Sequence, residues 1–319
     1  MSYPTISRNN RVFILRLAGT LLALALLIYL LSEQGWGEIG AAFRAIPAWN
    51  LVLAFLLTIV SRLAVGVRWH ILIHAIEPRI SLKQALRLTF AGLFASNFLP
   101  TTVGGDVVRL TGAIQLKLDG VLGAASLIMD RLIGTAGMAM VLPFGLPKFF
   151  ESRLFAQSNP LAALETFQAT GVMVTPLGRL VRKILDMSRH AMRKLFDALS
   201  HWVSHPGAML QALALTWIHM LSLFATILLL LRGMDDEVSF WLIAGMWGMI
   251  YFITLVPISI NGYGVQELSA TFIFTEIGGI LPQHSLTIAL LIRTLQMAIS
   301  LPGALFVSGV IVGSRDRPA

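Results

Sequence analysis

Asn97-Phe98-Leu99-Pro100-Thr101-Thr102-Val103-Gly104-Gly105-Asp106-Val107-Val108-Arg109 decides the fold, together with Pro257-Ile258-Ser259-Ile260-Asn261-Gly262-Tyr263-Gly264-Val265-Gln266-Glu267. Each stretch follows an apolar run fit to lie in a bilayer. Each then places proline, two glycines and ionisable groups where an ordinary membrane helix carries leucine and valine. Backbone exposed to lipid cannot be irregular, because no water is there to satisfy its N–H and C=O groups. Both breaks must therefore face protein or a wet cavity. Proline ends the preceding helix by removing a donor and disfavouring helix at the residue before it.

Working outward, the chain of 319 residues is 56% hydrophobic and 13% charged, with a mean hydropathy of +0.78. A soluble domain carries about 25% charged residues, so this is an all-α, polytopic membrane protein. The net charge of +8 falls in a few loops, which fits loops beside anionic lipid. No zinc-finger spacing or RNA-binding aromatic signature accompanies it, so nucleic acid is not an expected partner. The absence of cysteine excludes disulfides, thiolate metal sites and cysteine nucleophiles.

Apolar spans are predicted at Val12–Leu31, Asn50–Val67, Val121–Phe144, Met209–Leu231, Phe240–Val256 and Ser285–Val312. Val12–Leu31 is read as an uncleaved first helix, since no small-x-small cleavage site follows it. Leu86–Leu99 is short and runs into the first break. Val265–Leu281 follows the second and carries Glu267 and Glu276. The expectation is a bundle of about six to eight embedded helices, with two broken or re-entrant elements, forming a single integral membrane domain over 1–319. Its first half is 12–146, a basic amphipathic connector occupies 147–208, and its second half is 209–312. Within the connector, Arg179 to Lys194 sets basic and apolar residues on roughly opposite faces, the pattern of a surface-lying helix or a solvated basic loop. A weaker crossing at Leu161–Val174 stays open.

Lysine and arginine bias in short loops orients the chain. The N-terminus carries Arg8 and Arg11, and 68–87 carries Arg68, Arg79, Lys83 and Arg87 against Glu77. The 232–238 loop has Arg232 against Asp235, Asp236 and Glu237. A cytoplasmic N-terminus agrees with all three.

An internal repeat is suggested by Pro100 with Gly104-Gly105 and Pro257 with Asn261-Gly262. Each is followed by charge and then by an apolar helix bearing arginine (Asp130-Arg131, Arg293). The spacing to these arginines differs between the halves. Two breaks in corresponding places are the sequence pointer to a transporter's binding site, and an inverted repeat would suit one.

Charged side chains in spans are costly, about 2.5–3.5 kcal/mol each near the bilayer centre on insertion scales. Arg62, Asp106, Arg109, Asp130, Arg131, Glu267, Glu276 and Arg293 must pair or line water. Adjacent helix positions diverge by about 100°, so Asp130 and Arg131 are not each other's best partner. The functional reading has Arg131 facing a cavity and holding an anionic head group, with Asp130 fixing the arrangement. The alternative is a structural interhelical salt bridge. Gly104, Gly105, Gly262 and Gly264 permit close backbone approach, and half-helix N-termini after each break favour anions. Asp106 complicates that picture as a helix cap or proton carrier. There is no phosphate-binding loop, and the histidines lack metal-site spacing; neither a cofactor nor a metal is expected.

The run NFLPTTVGGDVVR, then AASLIMDRLIG, then PISINGYGVQE resembles the lysylphosphatidylglycerol synthase transmembrane-region family across about residues 10–312. The resemblance implies a bacterial inner-membrane protein that moves a lipid or lipid-linked group between leaflets. It carries over Asn97, Pro100, Gly104, Gly105, Asp106, Arg109, Asp130, Arg131, Pro257, Asn261, Gly262, Gly264 and Glu267. No aminoacyl-transfer domain is present in the chain, so synthase activity is not implied. The expected partner is a membrane phospholipid or lipid-linked substrate, with lipid-biosynthesis enzymes and a second copy of the chain left open. The alternative is a membrane-embedded accessory or group-transfer protein of lipid or glycolipid synthesis, with Asp106 or Glu267 as acid or base.

Overall fold

The computed structural model describes residues 28–29, 36–97, 99, 104–152, 202, 204–256 and 262–307. Ten α-helices are described. They are α1 (Trp36–Ala45), α2 (Ala48–His74), α3 (Leu82–Ser96), α4 (Gly104–Gln115), α5 (Gly120–Val141), α6 (Leu146–Glu151), α7 (Pro206–Arg232), α8 (Phe240–Leu255), α9 (Val265–Glu276) and α10 (Pro282–Ser300). The Val12–Leu31 span, save two residues, and the 179–194 and 161–174 segments lie outside the described residues, as do Pro100, Pro257 and Asn261.

Four helices are long and apolar enough to cross a membrane: Ala48–His74, Gly120–Phe144, Pro206–Arg232 and Pro282–Val307. At 1.5 Å per residue, α3 and α4 reach only about 22 and 18 Å, short of a hydrocarbon core of about 30 Å. They pack on each other as a helical hairpin around the first break. The approach is close: a Cβ on Gly105 would lie 2.5 Å from the Gly92 carbonyl oxygen. α8 and α9 pack together in the same way around the second break.

α2 ends seven residues beyond the span predicted for it. Arg68, His70 and His74, read as part of a basic loop, therefore lie on helix. The continuing apolar Ile71-Leu72-Ile73 carries the helix on, and Trp69, Leu72 and Ile73 are buried. Glu276 also departs from expectation. It ends α9 exposed rather than buried at depth.

The repeat is far stronger in the structure than in the sequence. α2 and α7 have 27 residues each, and Ser61 of α2 bonds to His219 of α7, 158 positions away. The same offset relates Ala48 to Pro206, Leu82 to Phe240, and the N-cap serines Ser81 and Ser239. It also relates Thr58, which donates to Ala54 O, to Thr216, which donates to Ala212 O. α5 and α10 both end in a 3-10 turn beginning Leu-Pro (Leu142–Phe144, Leu301–Gly303).

α2 and α7 run antiparallel. Asn50 near the start of α2 donates to Leu229 O near the end of α7 (2.8 Å), and Trp202, just before α7, donates to Leu72 O (3.0 Å). The two helices therefore cross at Ser61 and His219, which have thirteen helical residues on either side. Equivalent residues meeting at the midpoints of antiparallel helices place a pseudo-twofold axis in the membrane plane, which is an inverted repeat. α5 runs antiparallel to α2, since Trp69 meets Ser126 while Arg68 reaches Asp130 and Gly134. It therefore runs parallel to α7.

Candidate functional site

Because each break interrupts a hairpin at its tip, the ends of α3 and α8 and the starts of α4 and α9 converge. Between them is a cavity of about 320 Å³, also lined by α2, α5 and α10. Tyr263, in the second break, donates its hydroxyl to the Asn97 carbonyl at 3.0 Å. Asn97 Nδ2 in turn donates to Ser300 Oγ at 2.8 Å. The two breaks are thus in direct contact.

Two ion-pair networks form the walls. In the first half Asp130 accepts from Arg68 Nε (2.7 Å) and from Arg109 (3.3 Å), and all three side chains are buried. Arg109 also pairs with Asp106 at 3.2 Å, and Arg131 Nε donates to the other Asp106 oxygen. The guanidinium of Arg109 lies over the Trp69 ring, 4.4 Å from its centroid. In the second half Glu267 accepts from Arg293 Nε (2.6 Å) and from the Gly264 N–H (2.8 Å). That second bond caps α9, and Gly264, at φ +75°, supplies a turn that L side chains resist. Arg293 stacks over the Tyr263 ring at 4.9 Å.

One ion pair is common to both networks. Asp106 and Glu267 each lie in the first turn of a post-break helix, and each pairs with an arginine on the next long helix, 25 and 26 residues later. Counting from the prolines hides this, because the second break is longer between proline and acid.

The expected site residues divide into those on the cavity wall and those behind it. Asn97, Gly105, Asp106, Arg109, Arg131 and Gly262 line the cavity. Asp130 and Glu267 lie behind it, holding the arginines that do. Gly104 packs on Leu99, and a Cβ there would come within 2.5 Å of the leucine Cβ. Gly264 is a capping residue. Asp130 and Arg131 indeed take different partners, and Arg131 is 44% exposed on the cavity lining. The sequence reading did not bring in Arg68, Arg62, Thr89 or Arg293 as site members. Arg62 and Arg293 were visible as charges in spans; Arg68 was hidden by its reading as loop.

Five guanidiniums (Arg62, Arg68, Arg109, Arg131, Arg293) face three carboxylates (Asp106, Asp130, Glu267) at or just behind the wall. Among the described residues Arg62 has no carboxylate partner. The break residues outside the described set, 98, 100–103 and 257–261, contain no charged side chain. Among the described residues the cavity is therefore an electropositive chamber beside the point where α2 and α7 cross.

Fold and site together define a multi-pass helical membrane protein built as an inverted repeat, with two broken-helix hairpins closing on a basic cavity. The chain belongs to the family described as the lysylphosphatidylglycerol synthase TM region, whose model matches residues 16–303. A UPF0104 membrane protein of Methanothermobacter thermautotrophicus is 25% identical over 143 residues, which is 44% of this chain and 39% of that protein. The match thus spans well under half the length of that relative.

Proposed function

We propose that the protein is a lipid flippase that moves an anionic phospholipid or lipid-linked head group between the leaflets of a bacterial inner membrane, with its N-terminus in the cytoplasm. The observation that carries this reading is the basic cavity beside the crossing of α2 and α7, between two broken-helix hairpins of an inverted repeat. A head group crossing the bilayer needs a polar, water-lined station on its way. Discontinuous helices at a repeat interface provide such a station in transporters. Arg131, exposed to the cavity, would engage the head group, while Asp130 and Glu267 hold the remaining arginines in place. Family membership supports a lipid substrate.

The test is transbilayer movement of labelled anionic and zwitterionic lipids in proteoliposomes, for wild type and Arg131→Gln. The expected result is movement of the anionic lipid, abolished in a variant that still inserts. Wild-type rates in Arg131→Gln would remove the site assignment, and movement of no lipid by folded protein would remove the flippase.

A further inference from the structure

Resting on that reading, we infer that the cavity is built for a phosphate group bearing two negative charges, a phosphomonoester or diphosphate head, with Arg62 and Thr89 as direct ligands. Three observations converge. The first is charge balance. Every carboxylate of the cluster is already paired with arginine, and five guanidiniums against three carboxylates leave an excess of two positive charges among the described residues. Charge held inside a membrane protein needs a counter-charge. A phosphodiester supplies one, whereas a phosphomonoester or diphosphate supplies two.

The second observation is Arg62. It lies one residue from the midpoint of a 27-residue apolar helix long enough to span a bilayer, and lines the cavity. Among the described residues it has neither an ion pair nor a hydrogen bond. A second cation, Arg293, lines the same cavity. A cation kept in such a helix with a second cation on the same cavity and without a carboxylate is placed for an anion that arrives from outside the chain.

The third is a pair of unused polar atoms. Thr89 is 1% exposed, lines the same cavity, and its hydroxyl has no partner. Other buried helical threonines, including Thr58, Thr216, Thr226 and Thr271, donate to the carbonyl one turn back. Thr89 alone among the described threonines makes no hydrogen bond. The Nε of Arg109, on the cavity wall, is likewise buried and unpartnered. Buried polar atoms are normally satisfied, and an oxyanion between Arg62, Thr89 and Arg109 would satisfy these two.

The experiment is calorimetric titration of the purified full-length chain in uncharged detergent with three probes: dihexanoyl phosphatidic acid, dihexanoyl phosphatidylglycerol and inorganic phosphate. At about pH 8 phosphatidic acid should bind at least ~10-fold tighter than phosphatidylglycerol, the worth of one charge-assisted hydrogen bond. At about pH 5, below a second phosphate ionisation near 6, the two lipids should bind alike. Arg62→Gln should abolish the preference at the higher pH and Arg62→Lys should keep part of it. Thr89→Val, nearly isosteric, should weaken phosphatidic acid more than phosphatidylglycerol. Equal binding of both lipids by wild type overturns the inference, as does an unchanged preference in folded Arg62→Gln. Should Arg62→Gln not fold, an unchanged preference in Thr89→Val overturns it instead. Inorganic phosphate binding as tightly as phosphatidic acid would support the dianion site with a soluble ion as its source; much weaker binding would support a lipid source. The two readings fail separately. Movement of phosphatidylglycerol in proteoliposomes with no preference for phosphatidic acid removes the dianion and leaves the flippase. Arg62-dependent binding with no lipid moved does the reverse.

Discussion

The hydroxyl of Tyr263 donates to the carbonyl of Asn97 at 3.0 Å, across 166 residues of sequence. It joins the tips of the two hairpins directly, and the same ring lies beneath the guanidinium of Arg293. Tyr263→Phe deletes the bond and keeps the ring, so a loss of about 1 kcal/mol is expected. Tyr263→Ala also removes the cation–π contact and should lose more. Unfolding in mixed micelles checks the order, and equal losses would show that the hydroxyl alone matters.

Asp130 holds two buried arginines at once. Asp130→Asn leaves Arg68 without its carboxylate and Arg109 with Asp106 alone, and should cost about 3–5 kcal/mol, seen as low yield and early unfolding. Asp130→Asn combined with Arg68→Gln should recover part of that loss. An Asp130→Asn protein as stable as wild type would show that the network is not structural.

Glu267 and Arg293 form the matching pair in the second half, at 2.6 Å. Glu267→Gln and Arg293→Gln should each destabilise strongly. The double variant should cost less than the two combined, because neither charge is then stranded. Additive losses in the double-variant cycle would count against direct coupling.

The antiparallel α2 and α7 fix which ends share a face. With no cysteine in the chain, single-cysteine labelling needs no background removal. Arg79→Cys and Ser204→Cys are expected to react with an impermeant maleimide from one side of sealed vesicles, and Asp235→Cys from the other. Arg79→Cys and Ser204→Cys reacting from opposite sides would refute the inverted arrangement.

Much of this was legible in the sequence. Apolar runs interrupted by proline and paired glycines announced both hairpins, because lipid forbids irregular backbone, and most span boundaries held within a few residues. Arg68 was not legible. The polar cluster Arg68-Trp69-His70 reads as a helix end, and only tertiary pairing with Asp130 and Thr216 explains a buried cation there. Arg62 was visible as a charge in a span, but not that it has no carboxylate partner among the described residues. The repeat was blurred because sequence similarity between the halves is slight. Its signal lies in the spacing of helix starts, capping serines and acid–arginine pairs, which becomes visible only once helices are placed.

The halves match in backbone but not in charge. At the positions corresponding to Arg68, Arg109 and Asp130 the second half carries Thr226, Ala270 and Ile292. Among the described residues the first hairpin is therefore riveted by the buried Arg68–Asp130–Arg109 triad, and the second is tied to its next helix by the Glu267–Arg293 pair and by packing. That unlike bonding predicts a first hairpin that opens less readily than the second. Amide exchange is accordingly expected to be slower along Gly104–Gln115 than along Val265–Glu276, and Asp130→Asn should bring the two rates together.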